Sequence, residues 1–360
     1  AFVTRASDQG PNAGEFDNSQ VMEEILALRH EAAQLLSFAN YAERSLAKKM
    51  ADSPEHVIAF LEELAEKSHK VAQQDYDELV DYAKLHHAKG SLDAWDLTYY
   101  SEKLREHEYA INQEILKPYF PETKVVPGRF EVVKRLYDIN ITEVKGVDTW
   151  HKDVRFYEIK DHDGKLRGQF YLDLYSREKK RGGAWMDDCM GRNTLADGTS
   201  QTPVAFLTCN LTQPIGDQPA LFTHDEVTTL FHEFGHGLHH MLTQVDHVGV
   251  SGINGVAWDA VELPSQFMEN WCWEREALEL ITSHFETGET LPDVLFAKMQ
   301  AAKNFQSGMQ MVRQLEFSLF DFKLHTEYEP QKGARVQETL DAVRKQVAVI
   351  KTPAFNRFQN

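Results

Sequence analysis

The chain has 360 residues, 42% hydrophobic and 26% charged, a balance that excludes a disordered or collagen-like polymer. Its length favours two lobes over one compact ball. The 56 acidic residues outnumber the 38 basic ones for a net charge of -18, which argues against nucleic acid as a partner and suits solubility.

The first part reads as helix after helix. Val21, Ile25, Leu28, Leu35 and Leu36 recur at helical spacing and are expected to form a core face. Ser53 stands as an N-cap, with Pro54 at the first helical position and Glu55 in the first turn. Val57, Ile58, Leu61, Leu64, Ala65 and Val71 then give a second core face. Near Asp153 the period changes. Residues 156–159 and 169–175 read as strands: Phe170, Leu172 and Leu174 alternate with Tyr171, Asp173 and Tyr175, and Asp163-Gly164 supplies the hairpin turn.

Residues 204–211 form another short apolar run, read as a strand and as the candidate edge for pairing with a peptide backbone. The neighbouring uncharged stretch 198–216 contains Pro203 and Pro214 and is no membrane span. From Thr223 the pattern is helical again: through His240, from about Val261 to Phe285, and from Pro292 to Tyr328, with a flexible glycine-rich loop at 249–255. Cys189, Cys209 and Cys272 are scattered and odd in number, without a Cys-x-x-Cys pair. They read as buried reduced thiols in a reducing compartment.

The central signal is His232-Glu233-Phe234-Gly235-His236. Residues four apart on a helix lie about 40° apart around its axis, so both imidazoles can reach one ion from the same face. Zinc accepts neutral imidazole and carboxylate ligands, and Glu233, next to the first histidine, can reach a water on the metal without ligating it. Phe231, Phe234, Leu238, Met241 and Leu242 fall on the opposite side as a buried back. Gly235 and Gly237 each cost roughly 1 kcal/mol in a helix interior, which implies close approach of another backbone.

A catalytic zinc site needs a third ligand. A histidine six residues beyond His236 is excluded by Leu242, and a glutamate followed four residues later by aspartate is excluded by Gln266. What remains is Glu262, which shares a helix face with Gln266 and Glu269. Asp259 and Glu262 also have capping-box spacing, so a helix cap is the competing role for Glu262.

Two segments carry a family resemblance: Phe231-His232-Glu233-Phe234-Gly235-His236-Gly237-Leu238-His239 and Glu262-Leu263-Pro264-Ser265-Gln266-Phe267-Met268-Glu269-Asn270-Trp271. They resemble the metal helix and the second-ligand helix of the thimet oligopeptidase family of zinc peptidases. The resemblance runs across the chain, including 4–12, 171–186 and 317–325. It implies a mainly α fold with a small β-sheet, a two-lobed zincin-type architecture around a deep substrate channel. It implies one Zn2+ held by His232, His236 and Glu262, with Glu233 as the general base, Glu269 orienting a ligand histidine, and His239 lining the cleft.

The function implied is metal-activated hydrolysis of short unfolded peptides by an endopeptidase. A cytoplasmic setting and no nucleic-acid or membrane partner are expected with it, and a monomer is favoured while the oligomeric state stays open. The expected sub-regions are a helical lobe at 1–150, a small sheet region at 151–215 and a helical zinc-binding region at 216–360. The family also has a glycine- and tyrosine-rich segment that helps bind substrate and stabilise the oxyanion. That segment is expected just beyond Phe358, and a helical portion before Ala1, so the chain reads as an internal fragment with exposed apolar surface around Phe355 and Phe358. The alternative function is a catalytically incomplete, zinc-stabilised peptide-binding fragment.

Overall fold

A computed structural model describes residue 9 and residues 13–358; apart from Gln9, the family-like stretch 4–12 lies outside them. Along the chain the α-helices are α1 (Ser19–Leu35), α2 (Tyr41–Leu46), α3 (Pro54–His87), α4 (Leu97–Tyr109), α5 (Gln113–Leu116), α6 (Glu122–Tyr137), α7 (His224–Met241), α8 (Leu263–Glu269), α9 (Arg275–Ile281), α10 (Asp293–Ala302), α11 (Ser307–Thr326) and α12 (Val336–Val347). The strands are β1 (Ile139–Glu143), β2 (Arg155–Asp161), β3 (Leu166–Tyr175), β4 (Trp185–Met190), β5 (Asn193–Thr194), β6 (Ser200–Gln201) and β7 (Val204–Leu211). The fold is mainly helical, with a small five-stranded mixed sheet and a two-stranded one formed by β5 and β6.

The chain divides into two compact units: Ala1–Ala110 with Ala302–Asn360, and Ile111–Ala301. The expected sub-regions 1–150, 151–215 and 216–360 rest on the order of helical and strand patterns along the sequence. The units cut across that order, because the segment from Ala302 onward belongs with the N-terminal helices.

In the first unit the long helix α3 starts as its sequence dictates. The Ser53 side chain accepts the His56 backbone N–H, and Pro54 opens the helix. A core of Leu26, Ala65, Leu315, Leu319, Phe320 and Leu340 joins α1, α3, α11 and α12. Two expectations are corrected here. The stripe on α1 faces outward: Val21, Leu28 and Leu35 are 52%, 57% and 77% exposed, while Leu26 and Ala33 are buried. Helical spacing identifies stripes but does not choose between adjacent ones; contacts with α3 and α11 make that choice. On α3 only Val71 departs from the expected stripe, being exposed: Ala65 is buried, Ile58, Leu61 and Leu64 pack against the same core, and Ala72 and Leu79 are buried further along the helix.

In the second unit the larger sheet has the order β1-β2-β3-β7-β4. The β2–β3 hairpin turns at the expected place, with Gly164 at φ +79 and its N–H donating to the Asp161 carbonyl. Strand β7 runs parallel to β3 and antiparallel to β4. It is an interior strand, and the edge on that side is β4, so the expectation of an edge at 204–211 is corrected. Most of β7 is buried, as pairing on both sides requires. Strands β1 and β4 give little sequence signal because much of each is exposed.

The helical pattern from Val261 to Phe285 is broken into α8, a short 3-10 turn (Asn270–Trp273) and α9, with Glu274 in extended conformation between the last two. The pattern from Pro292 breaks at Gln306, whose φ is +54. The thiols also divide. Cys209 and Cys272 are buried and unpaired as expected, but Cys189 is exposed on β4. No described helix is long and apolar enough to cross a membrane.

Candidate metal centre

The site is assembled from α7, α8 and β4. Helix α7 begins with a reciprocal capping box: the Thr223 hydroxyl accepts the Glu226 N–H, and the Glu226 carboxylate accepts the Thr223 N–H. Its back is buried as expected at Phe231, Phe234, Leu238 and Met241. Phe234 packs edge-on against Phe170 of β3 at 5.4 Å between ring centroids. This fixes the helix on the sheet and turns His232 and His236 to the other side.

Gly235 meets the backbone of α8. A methyl group there would lie 2.4 Å from the Pro264 carbonyl oxygen and 2.6 Å from the Ser265 Cα. The expected close backbone is therefore present at this glycine. Gly237 differs, since its nearest neighbour would be the Leu207 side chain at 3.0 Å.

That approach brings Glu262 to the histidines. Glu262 stands at the N-cap position of α8 in helical conformation, without a side-chain cap hydrogen bond of its own. Its Oε2 lies 3.2 Å from Nε2 of His232 and 3.2 Å from Nε2 of His236. These three residues form the metal-competent group found among the described residues, each offering one ligand atom within 4.8 Å of the others. Ser265 Oγ sits 2.7 Å from the same Glu262 oxygen and holds it in place. Glu269, the last residue of α8, lies 2.7 Å from Nδ1 of His232.

The donor set fits a divalent cation such as zinc. With Nδ1–H of His232 donating to Glu269, the lone pair of that ring is on Nε2, aimed at a carboxylate oxygen. Two lone pairs at that separation repel unless a proton or metal ion lies between them. Burial lowers the pKa of His236, which favours the neutral, ligating imidazole over a protonated one.

Glu233 is buried beside its ligand neighbour, and burial pushes its carboxyl group upward. His232 pulls the other way, as does a backbone hydrogen bond from Met186 of β4, while Glu262 adds to the rise. His239 stands apart from the three-residue group. It is half-buried, its Nδ1 has no partner among the described residues, and burial lowers its pKa. Sequence reasoning missed Ser265, Met186 and the fully buried His240 on α7. Ser265 contacts Glu262 three residues before it, His240 contacts the distant Met190, and Met186 meets Glu233 through its backbone, which carries no residue-type signal.

Comparison with known proteins adds an independent line. The profile of peptidase family M3 matches residues 1–359. The chain is 61% identical to oligopeptidase A of Salmonella typhimurium over 99% of this chain and 53% of that protein. It is 45% identical to the organellar oligopeptidase A, chloroplastic/mitochondrial, of Arabidopsis thaliana, over 99% of this chain and 45% of that one. With the thimet-like oligopeptidase of Dictyostelium discoideum it shares 35% identity over 86% of this chain and 48% of that protein. The chain thus spans about half the length of the curated relatives it matches.

Proposed function

This chain belongs to peptidase family M3, and from that premise we propose that it carries the metal centre of a zinc-dependent endopeptidase acting on short unfolded peptides. The convergence of His232, His236 and Glu262 beside the buried Glu233 is the observation that carries this reading. Zinc held by those three residues supplies Lewis acidity towards a water and the scissile carbonyl.

The remaining steps belong to the chain's own residues. Glu233 takes the proton of the attacking water and passes it to the leaving amine; a carboxyl group raised by burial suits that exchange near neutral pH. Glu269 fixes the His232 ring through Nδ1 and leaves Nε2 for the ion. Ser265 holds the Glu262 oxygen that faces both imidazoles. The extended substrate pairs with β4, the sheet edge whose Met186 reaches Glu233, and not with interior β7. His239 lines the cleft, which accords with its unpartnered Nδ1. The place of action is a reducing compartment, the cytoplasm, in keeping with three unpaired cysteines.

The test is Glu233→Gln in a chain extended to the length of its relatives. Zinc binding is expected to persist and peptide turnover to fall about 10²–10⁴-fold, because an amide cannot accept the proton. Near-normal turnover with zinc retained would assign the base elsewhere. A second reading is a zinc-stabilised peptide-binding chain without turnover. Peptide hydrolysis by the 360-residue chain with added zinc separates the two.

A further inference from the structure

We infer that His240 is a positioning residue that ties the metal helix α7 both to the edge strand β4 and to the loop leading to Glu262; this rests on the metal-centre reading above. His240 is fully buried at the end of α7, one helical turn beyond His236. Its Nε2 lies 2.9 Å from the carbonyl of Met190, the last residue of β4. A carbonyl only accepts, so Nε2 carries the proton and Nδ1 is left as an acceptor. The Ile253 backbone N–H points at that Nδ1 from 3.5 Å. One neutral imidazole therefore uses both nitrogens, each on a different segment.

The loop is pressed onto this ring. Gly252 has φ +61, and a methyl group there would lie 2.6 Å from His240 Nδ1 and 2.9 Å from the His240 carbonyl oxygen. The same loop is seated against the far end of β4. Asn254 Nδ2 donates to Asp188 Oδ2 at 3.2 Å, and a methyl group at Gly191 would lie 2.8 Å from a Val248 methyl. From Asn254 the chain runs on to Glu262. At its other end β4 places Met186 on Glu233.

His240 thus joins the helix bearing His232 and His236, the strand facing Glu233, and the loop that delivers the third ligand. It touches neither the ligand atoms nor the reacting groups. A leucine would fill similar space but would leave the Met190 carbonyl and the Ile253 N–H without partners.

The test measures zinc affinity of the 360-residue chain by chelator competition, for the wild type, His240→Leu, His240→Gln and Gly252→Ala, with apo melting temperatures in parallel. His240→Leu is expected to weaken zinc binding about 10–100-fold, as loss of a residue supporting metal ligands does. His240→Gln can donate to Met190 and accept from Ile253, so it is expected to restore most of that loss. Gly252→Ala presses a methyl group on His240 and pushes the loop off the ring while leaving the imidazole itself unsubstituted. It is expected to follow the leucine variant, and it carries the test should that variant not fold. Wild-type affinity in both His240→Leu and Gly252→Ala would overturn the inference alone. So would a loss that tracks apo melting temperature and is not rescued by glutamine. Failure of the wild type to bind zinc would overturn the metal-centre reading and the inference with it.

Discussion

At the scale of single residues, the chemistry of the site depends on which ring nitrogen of each histidine is free. His232 is set by Glu269, whose carboxylate occupies its Nδ1. Without that acceptor the ring can rotate or change tautomer, and Nε2 is no longer reserved for the ion. Glu269→Ala is therefore expected to lower zinc affinity about 10–100-fold. Stability should change little, since the glutamate side chain is 36% exposed. Chelator competition with a parallel thermal melt checks both, and unchanged affinity would remove Glu269 from the site. The ligand histidines were readable from their four-residue spacing. Glu262 was harder, because two roles fitted it; in the structure its carboxylate faces both imidazoles.

At the scale of elements, the site exists because α8 can lie against α7. Gly235 makes this approach possible, and its cost to the helix is offset by the contact it permits. Gly235→Ala would put a methyl group 2.4 Å from the Pro264 carbonyl oxygen, on backbone that cannot rotate away. The expected result is about 1–3 kcal/mol of destabilisation. A fall in zinc affinity should accompany it, because α8 must shift and Glu262 moves with it. Urea unfolding and a zinc titration measure the two effects. Wild-type values in both would show that α8 yields without cost.

Gly237→Ala is a useful contrast, since it meets only side-chain ends, those of Leu207 at 3.0 Å and Met241 at 3.3 Å. The sequence marks both glycines equally, and it cannot tell which one faces a backbone. The strands show the same limit. The alternation in β3 was plain, whereas β4 has an exposed, polar stretch and emerged only through its pairing with β7.

At the scale of the molecule, apolar surface remains open. The outward face of α1 exposes Val21, Ile25, Leu28, Leu35 and Leu36, and Phe358 near the other end of the chain is 40% exposed. A contiguous stripe of this kind on a described surface favours self-association. Replacing Leu28 and Leu35 together by lysine is expected to reduce concentration-dependent association of the 360-residue chain. Each change should cost no more than about 0.5 kcal/mol, because neither side chain is in the core. Light scattering across a concentration series checks this, and a wild-type chain already monomeric throughout would refute it.

The sequence by itself determined what can be encoded locally. This includes the helical character of both ends, the cap of α3, the β2–β3 turn, and a metal motif whose two histidines share a face because a helix repeats every 3.6 residues. It also determined family membership, since two long motifs occur in order. Tertiary structure alone decided which α1 stripe is buried, that β4 and not β7 forms the edge, which glycine admits α8, and that His240 sits between Met190 and Ile253. The physical reason is the same in each case. Periodicity specifies the direction of a side chain relative to its own element, while its neighbour is supplied by another segment, and only packing brings the two together.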